Sequence, residues 1–215
     1  MQDQGAGMTD VRPAVDVFSE WAENGRDEGM ERGHAPAVGE MLAFGLTQTA
    51  ELGRSFRAID VGCGNGWVVR QLAAMPFCSH AEGVDGARGM IHKAKRIDPE
   101  GHYHHAMLPE WAPDGRFDLL VSMEVLYYLH DPGAMLATFC ESWLQPGGWA
   151  VVGVDHYAEH EASLDWPEKV GVHMTTLSEQ EWVRAWEQAG FENVRSWRAA
   201  GTPGTLVVAG QRPQA

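Results

Sequence analysis

Ala58-Ile-Asp-Val-Gly-Cys-Gly-Asn-Gly-Trp-Val-Val-Arg70 is an apolar run that passes through three alternate glycines into a second apolar run. The first run predicts a buried strand over 56–61, and the second predicts a helix over 67–75. Alternate glycines let the backbone turn tightly and approach a ligand without a Cβ clash. The helix start presents free N–H groups. In an open α/β sheet, ligands bind beyond the carboxyl ends of the strands, where this loop lies.

The glycine spacing distinguishes two kinds of ligand. A dinucleotide loop has the pattern Gly-x-Gly-x-x-Gly, whereas this chain has Gly-x-Gly-x-Gly preceded by Asp60. A carboxylate at Asp60 would repel a pyrophosphate and suits a ligand that carries an ammonium group. The next predicted strand ends at Asp85, where a carboxylate can accept hydrogen bonds from both hydroxyls of a ribose. These features disfavour a nicotinamide oxidoreductase.

Strand and helix patterns alternate along the rest of the chain, which predicts a mainly parallel sheet covered on both faces. The fold class is a doubly wound seven-stranded α/β sheet in three layers, with an antiparallel C-terminal edge hairpin around Gly201-Thr-Pro-Gly204. The predicted strands cover 56–61, 81–84, 102–106, 117–122, 149–154, 191–199 and 205–210, and the predicted helices cover 67–75, 87–97, 125–129, 132–144 and 178–189.

The segments outside this alternation predict a helical cap and an insertion. Helices are expected over 12–24 and 34–52, and the three glycines of 24–33 favour a loop or a broken helix. Residues 156–175 are polar and irregular, as in an insertion over the sheet end. We expect a flexible arm over 1–11 and one domain over 12–215, which includes the cap (12–52) and the insertion.

Several of these segments together resemble the class I S-adenosylmethionine-dependent methyltransferases. Any one of them is a weak signal, but five in order at plausible spacing are specific, and the resemblance extends from Phe56 to the C-terminus. The matching segments are Ile59-Asp-Val-Gly-Cys-Gly-Asn-Gly66, Gly83-Val-Asp-Gly-Ala87, Phe117-Asp-Leu-Leu-Val-Ser-Met-Glu-Val-Leu126, Leu144-Gln-Pro-Gly-Gly148, and the closing pair Ala189-Gly-Phe191 and Leu206-Val-Val-Ala-Gly210.

The resemblance implies a binding site for S-adenosylmethionine and its product S-adenosylhomocysteine. It implies that Asp60 lies near the amino group, that the glycine loop lines the methionine part, and that Asp85 holds the ribose. The usual acid or amide after the third strand is missing, so adenine is expected to meet backbone groups and apolar side chains. The implied cofactor-binding residues are Asp60, Gly62, Cys63, Gly64, Asp85, Gly86, Met107, Leu108, Ser122, Met123 and Glu124.

A methyl acceptor that carries a proton also needs a base. His34, at a loop–helix junction, and Asp155 and His156, just after the fifth strand, are the candidates because loops beyond strand ends carry function. Trp21, Trp111 and Trp166 fall in segments near the expected site. The histidines of 102–105 lack an accompanying acid or cysteine, so we expect no metal site.

Composition limits the partners of the chain. Its 215 residues carry a formal net charge of −14, which disfavours nucleic acid as a substrate. No apolar stretch is long enough to cross a membrane, no basic amphipathic helix is evident, and three scattered cysteines fit a reducing cytoplasm. We therefore expect a cytoplasmic monomer or homodimer that acts on a small molecule, with a non-catalytic cofactor-binding protein as the alternative.

Overall fold

The computed structural model describes residues 11–202 and 204–214. Most of the predicted N-terminal arm lies outside these residues. Seven strands form one sheet, in the order β3-β2-β1-β4-β5-β7-β6. The strands are β1 (Phe56–Val61), β2 (Cys78–Asp85), β3 (His102–His105), β4 (Phe117–Met123), β5 (Leu144–Val154), β6 (Glu192–Arg198) and β7 (Leu206–Gln211).

The pairing of the strands confirms the predicted fold class. β1 pairs in parallel with β2 and β4, and β3 and β5 extend the parallel sheet on either side. β7 lies antiparallel between β5 and β6, so the C-terminal hairpin forms that edge of the sheet. The strand order reverses between β1 and β4, and their carboxyl ends therefore border a crevice of the kind where doubly wound sheets bind ligands.

Helices cover both faces of the sheet. One face packs on α2, α3 and α4, and the other packs on α5 and α7, which gives two separate apolar clusters. None of the helices in the described part of the chain has the length and apolar composition needed to cross a bilayer. The α-helices are α1 (Ala14–Glu23), α2 (Asp27–Ala50), α3 (Trp67–Ala73), α4 (Arg88–Ile97), α5 (Pro132–Thr138), α6 (Trp166–Val170) and α7 (Glu179–Gln188).

Of the two alternatives predicted for 24–33, a loop or a broken helix, the structure shows the second. The chain turns between Asn24 and Arg26, and α2 starts at Asp27 and continues through two glycines and Pro36. Asp27 is buried and pairs with Lys93 of α4, with 2.8 Å between the Lys93 Nζ and a carboxylate oxygen. A long-range ion pair therefore stabilises a first turn whose local helix propensity is low.

Other boundaries shift by smaller amounts. The helix predicted over 132–144 ends at Thr138 and continues as a π-helical turn over Phe139–Trp143. β5 begins at Leu144, earlier than predicted. The capping box at Ser178 is confirmed, since its Oγ accepts the N–H of Glu181 and the Glu181 carboxylate accepts the N–H of Ser178. The insertion contains a 3₁₀ turn and the short helix α6.

The cap helix α1 packs closely on α4. An ideal Cβ placed on Gly89 would lie 2.6 Å from the backbone oxygen of Ser19, so the two helices meet without a side chain between them. In front of α1, the Arg12 N–H donates to the Gly171 oxygen at 2.8 Å. The N-terminal segment therefore contacts both α4, which covers the sheet, and the insertion.

Replacing Gly89 with alanine should weaken this contact. A methyl group that meets a backbone oxygen forces the helices apart, so we expect Gly89→Ala to lower the free energy of unfolding by about 1–3 kcal/mol. Gly39→Ala is the matched control, because Gly39 is also helical and has no atom within 4 Å of an ideal Cβ. There the better helix propensity should add about 0.5–1 kcal/mol. Urea unfolding measures both, and equal effects would contradict the close contact.

Candidate functional site

A cavity of about 820 Å³ lies beyond the carboxyl ends of β1, β2 and β4. Its floor is the glycine loop, and its other walls come from α1, the first turns of α2, the turn after β4, and the insertion around α6. The volume falls in the upper part of the range of roughly 300–1,000 Å³ that ligand pockets occupy. The cavity therefore lies at the carboxyl edge of the sheet, where the strand order reverses between β1 and β4.

The glycine loop is packed against the turn that follows β4. Gly62 has φ +76°, and an ideal Cβ there would lie 1.9 Å from Cγ2 of Val125. A side chain at Gly62 is thus excluded both by conformation and by space. Gly64 and Cys63 also line the cavity, and burial raises the pKa of the Cys63 thiol well above its usual value.

Asp85 connects the glycine loop to the loop after β2. Its Oδ2 accepts the N–H of Gly64 at 2.9 Å, and its Oδ1 accepts the N–H of Ala87 at 2.7 Å. Burial raises the pKa of Asp85, and these two backbone hydrogen bonds lower it in part. The carboxylate is thereby fixed in orientation, and each oxygen retains a lone pair for a further donor.

Asp60 is a second carboxyl group on the cavity wall and, unlike the partly buried Asp85, is only 4% exposed. Burial, and secondarily the charge of Asp85, raises the pKa of Asp60 to about 8, and no hydrogen bond from the described residues offsets this shift. The group is therefore largely protonated at neutral pH. A cation beside it would favour the carboxylate and release the proton.

Apolar side chains surround the loop after β2 where it borders the cavity. An ideal Cβ on Gly86 would lie 2.6 Å from Val15 Cγ1 and 3.1 Å from Met107 Sδ, so α1 packs directly on this backbone. Met107 and Leu108 both line the cavity, and Met107 is half-exposed. Since no acid or amide stands at 107–108, this part of the wall consists of backbone and apolar side chains.

The last two residues of β4, Ser122 and Met123, and the residue after it, Glu124, lie in different environments. Ser122 is fully buried and donates its Oγ hydrogen to the Val61 oxygen at 2.8 Å, so it joins β4 to β1 behind the cavity wall. Met123 and Glu124 line the cavity. Glu124 accepts the N–H of Asp155 and, at 2.6 Å, the hydroxyl of Tyr127. Burial, with the charge of Asp155, raises the pKa of Glu124.

Of the three candidate bases, two meet beside the cavity and one does not. His34 lines the cavity, and its Nε2 lies 3.8 Å from Oδ2 of Asp155, which sits directly behind the wall. Burial lowers the pKa of His34, and the charge of Asp155 opposes this shift. His156 is fully buried, with Nδ1 3.0 Å from the Ser163 oxygen and Nε2 2.7 Å from the Thr176 hydroxyl. Both ring nitrogens of His156 thus have protein partners away from the cavity.

The structure adds residues that the sequence analysis did not single out. Asn65 is buried, and its Nδ2 donates to Asp27 at 2.9 Å, which ties the glycine loop to the first turn of α2. Aromatic rings form a large part of the cavity wall. Trp21 and Trp166 are there as expected, but Trp111 packs on Trp143 instead. The other aromatic residues that line it are Phe18, Trp67, Tyr127 and Tyr128.

Of these residues, only Asn65 carries a local signal in the sequence. Asn65 lies within the glycine loop itself, where a side chain that can accept from the backbone commonly shapes a turn, and its Oδ1 accepts the N–H of Trp67 at 3.2 Å. The aromatic residues carry no such signal, because their spacing is that of ordinary core positions.

Comparison with known proteins assigns the family. Residues 16–196 match a family model described as "Methyltransferase domain". The methyltransferase chain in the complex with the Trm112 activator from Haloferax volcanii superposes with a TM-score of 0.81 at 26% identity, over 92% of this chain and 98% of that one. An S-adenosylmethionine-dependent methyltransferase from Mesorhizobium loti superposes with a TM-score of 0.65 at 22% identity, over 84% and 98%.

Among curated relatives, a ubiquinone biosynthesis O-methyltransferase from Bradyrhizobium sp. (strain ORS 278) is 36% identical over 103 residues, which are 45% of this chain and 38% of that protein. A trans-aconitate 2-methyltransferase from Pseudomonas aeruginosa is 31% identical over 48% of this chain and 37% of that protein. The match thus spans less than half of each relative. The family model covers most of the chain, and the chain therefore belongs to the class I S-adenosylmethionine-dependent methyltransferases.

Proposed function

We propose that this protein transfers a methyl group from S-adenosylmethionine to a small-molecule acceptor. The observation that carries the proposal is the pair of carboxyl groups, the buried Asp60 and the partly buried Asp85, on the wall of one cavity beside the glycine loop. The two carboxyl groups differ in their hydrogen bonding, and each group suits a different part of this cofactor.

Asp85 suits the ribose because its oxygens are held by backbone N–H groups and keep lone pairs free for hydroxyl donors. Asp60 suits the amino group because it has no hydrogen-bond partner among the described residues and is stabilised as an anion beside a cation. Gly64 leaves space for the methionine part, since an ideal Cβ there meets only Met90 Sδ, at 3.9 Å, and the apolar side chains of Met107 and Leu108 suit the flat adenine ring. The cofactor, when bound, supplies a methyl group on a positively charged sulfur.

The opposite end of the cavity suits the acceptor. The aromatic rings of Phe18, Trp21 and Tyr128 pack edge to face, with centroids 5.2 and 5.3 Å apart, and form a wall that excludes water. His34 and Glu124 line the same cavity and Asp155 lies beside them, so we assign to these three residues the positioning of the reactive group and the removal of its proton. Orientation of two bound reactants supplies a large part of such a rate enhancement.

The size and charge of the molecule support a small acceptor. The cavity is enclosed by α1 and the insertion, and a net charge of −14 repels polyanions such as nucleic acid. The curated relatives are named for ubiquinone biosynthesis and trans-aconitate methylation, which are both small-molecule reactions. A non-catalytic protein that only binds the cofactor is the alternative, and turnover separates the two.

A metabolite panel tests the proposal directly. The purified chain, mixed with S-adenosylmethionine and hydroxyl, amine, thiol and carboxylate acceptors, should produce S-adenosylhomocysteine in amounts that depend on one acceptor class. Mass spectrometry measures both products. Tight binding of S-adenosylhomocysteine without turnover across the panel would favour the non-catalytic alternative. If the chain neither bound S-adenosylhomocysteine nor turned over any acceptor, the cofactor assignment would be contradicted.

The panel is run with and without a Trm112-type activator, because the similar Haloferax volcanii chain was solved with one. Turnover that appears only with the activator would still support the proposed reaction. It would replace the expectation of a monomer or homodimer with that of a hetero-complex. Mass measurement of the isolated chain in solution distinguishes the first two states.

Removing the Asp85 carboxylate should weaken cofactor binding. Asp85→Asn loses charge-assisted hydrogen bonds, each worth about 1.5–3 kcal/mol, so the dissociation constant of S-adenosylhomocysteine should rise roughly tenfold or more. Calorimetry measures this change. Asp114→Asn is the control, because Asp114 is exposed in a loop and does not line the cavity. Equal affinities in the two variants would remove Asp85 from the site.

Asp60 should release a proton when the cofactor product binds. Its pKa of about 8 keeps it protonated in the free protein at pH 7, and the ligand ammonium group should lower that pKa. The enthalpy of S-adenosylhomocysteine binding at pH 7 should therefore differ between phosphate and Tris. The expected difference is that between the ionisation heats of the two buffers, multiplied by up to one released proton. The affinity should increase between pH 6 and 8. Asp60→Asn should bind more weakly and lose this buffer dependence. Unchanged proton release in that variant would assign the proton to another group.

A further inference from the structure

Three side chains from separate elements converge behind the acceptor end of the cavity. His34 comes from α2, Glu124 from the turn after β4, and Asp155 from the end of β5. One nitrogen or oxygen atom of each lies within 4.8 Å of the other two, and His34 Nε2 is 3.8 Å from Asp155 Oδ2. A nitrogen and two carboxylates in this arrangement are a potential ligand set for a metal ion.

The Asp155 carboxylate is incompletely satisfied by the protein. Asp155 is only 8% exposed, and its Oδ1 is buried without a hydrogen-bond partner among the described residues. A buried, unpaired carboxylate is strongly unfavourable, and such groups are found paired or bound to a metal. Within residues 11–202 and 204–214, no lysine or arginine forms an ion pair with Asp155 or Glu124. The protein therefore supplies no fixed cation for this pair.

Glu124 is held in place in the way that metal-binding carboxylates usually are. The N–H of Asp155 and the hydroxyl of Tyr127 each donate to one of its oxygens. Such hydrogen bonds fix the orientation of a ligand and leave further lone pairs available. His34 faces the cavity with Nε2 toward Asp155, so its lone pair can point into the same space.

We propose that His34, Glu124 and Asp155 bind a divalent cation. Two carboxylates match its charge, and one imidazole with two carboxylates favours Zn²⁺ or Mn²⁺ over Mg²⁺, which prefers oxygen ligands and keeps its waters. Ligand atoms around Zn²⁺ stand roughly 3.4 Å apart for bonds of about 2.1 Å. The 3.8 Å between His34 and Asp155 is close to this spacing, and the other two pairs, which are up to 4.8 Å apart, would have to move closer around an ion.

Three protein ligands leave coordination positions open toward the cavity. If the proposed methyl transfer holds, an acceptor hydroxyl can occupy one of them, and the ion lowers the pKa of that hydroxyl. The ion would ease the loss of the acceptor proton, which would pass to water, and His34 would then serve as a metal ligand and not as the base. This consequence rests on the proposed function, whereas the metal site does not.

The test is a calorimetric titration of the chelator-treated full chain with Zn²⁺ and with Mn²⁺, without cofactor. We expect one equivalent to bind. His34→Gln, Glu124→Gln and Asp155→Asn should each weaken binding by about tenfold or more, since even indirect partners of metal ligands contribute about 10–100-fold. His130→Gln is the matched control, because His130 lines the same cavity outside the cluster and should leave binding unchanged.

Binding of neither ion by the wild-type chain overturns the inference, as does binding that survives all three substitutions. Binding lost instead in His80→Gln would assign the ion to the edge of the sheet, where Nε2 of His80 lies 2.6 Å from Glu82. Thermal unfolding of each variant is measured first, and the isosteric Glu124→Gln and Asp155→Asn decide if His34→Gln is unfolded. Metal binding without turnover contradicts only the proposed function, and turnover without metal binding contradicts only this inference.

Discussion

The close packing of Gly62 on Val125 is the contact on which the site depends. With 1.9 Å between an ideal Cβ and the valine methyl group, the loop after β1 and the turn after β4 meet as bare backbone against side chain. Because the strand order reverses between these two strands, the loops then diverge on either side and leave a crevice. Asp60, Gly64 and Glu124 reach the cavity from the two sides of that contact. A bulkier residue at Gly62 would separate the loops and alter every distance in the site.

Most of the fold could be predicted because its signals are local. Three local patterns each specify their own conformation: the apolar run before Gly62, the capping box at Ser178 and the glycine-containing turn after Ala199. The parallel topology follows from the alternation of strands and helices along the chain. The start of α2 could not be predicted in this way. Its stability comes from Lys93 and Asn65, which are distant in sequence, and outweighs the poor helix propensity of its glycines.

The same distinction applies to the site. Asp60 and Asp85 follow buried strands in a fixed pattern, and the structure places both at the cavity. Ser122 and Met123 were grouped by motif, yet successive residues of a strand point to opposite faces, so only Met123 reaches it. His156 follows a strand end but is buried by partners from Ser163 and Thr176. The meeting of His34, Glu124 and Asp155 depends on three segments that no spacing connects, which is why the sequence predicted no metal.

The isolated backbone pairing of Arg12 with the insertion has a consequence for ligand exchange. The N–H of Arg12 and the oxygen of Gly171 join two segments that both lie outside the sheet. A backbone hydrogen bond of this kind contributes only about 1 kcal/mol, far less than the packing of the strands. Opening at this point would break one backbone hydrogen bond and no strand pairing of the sheet. Substitutions at the junction should therefore change access to the cavity while leaving the architecture of the sheet intact.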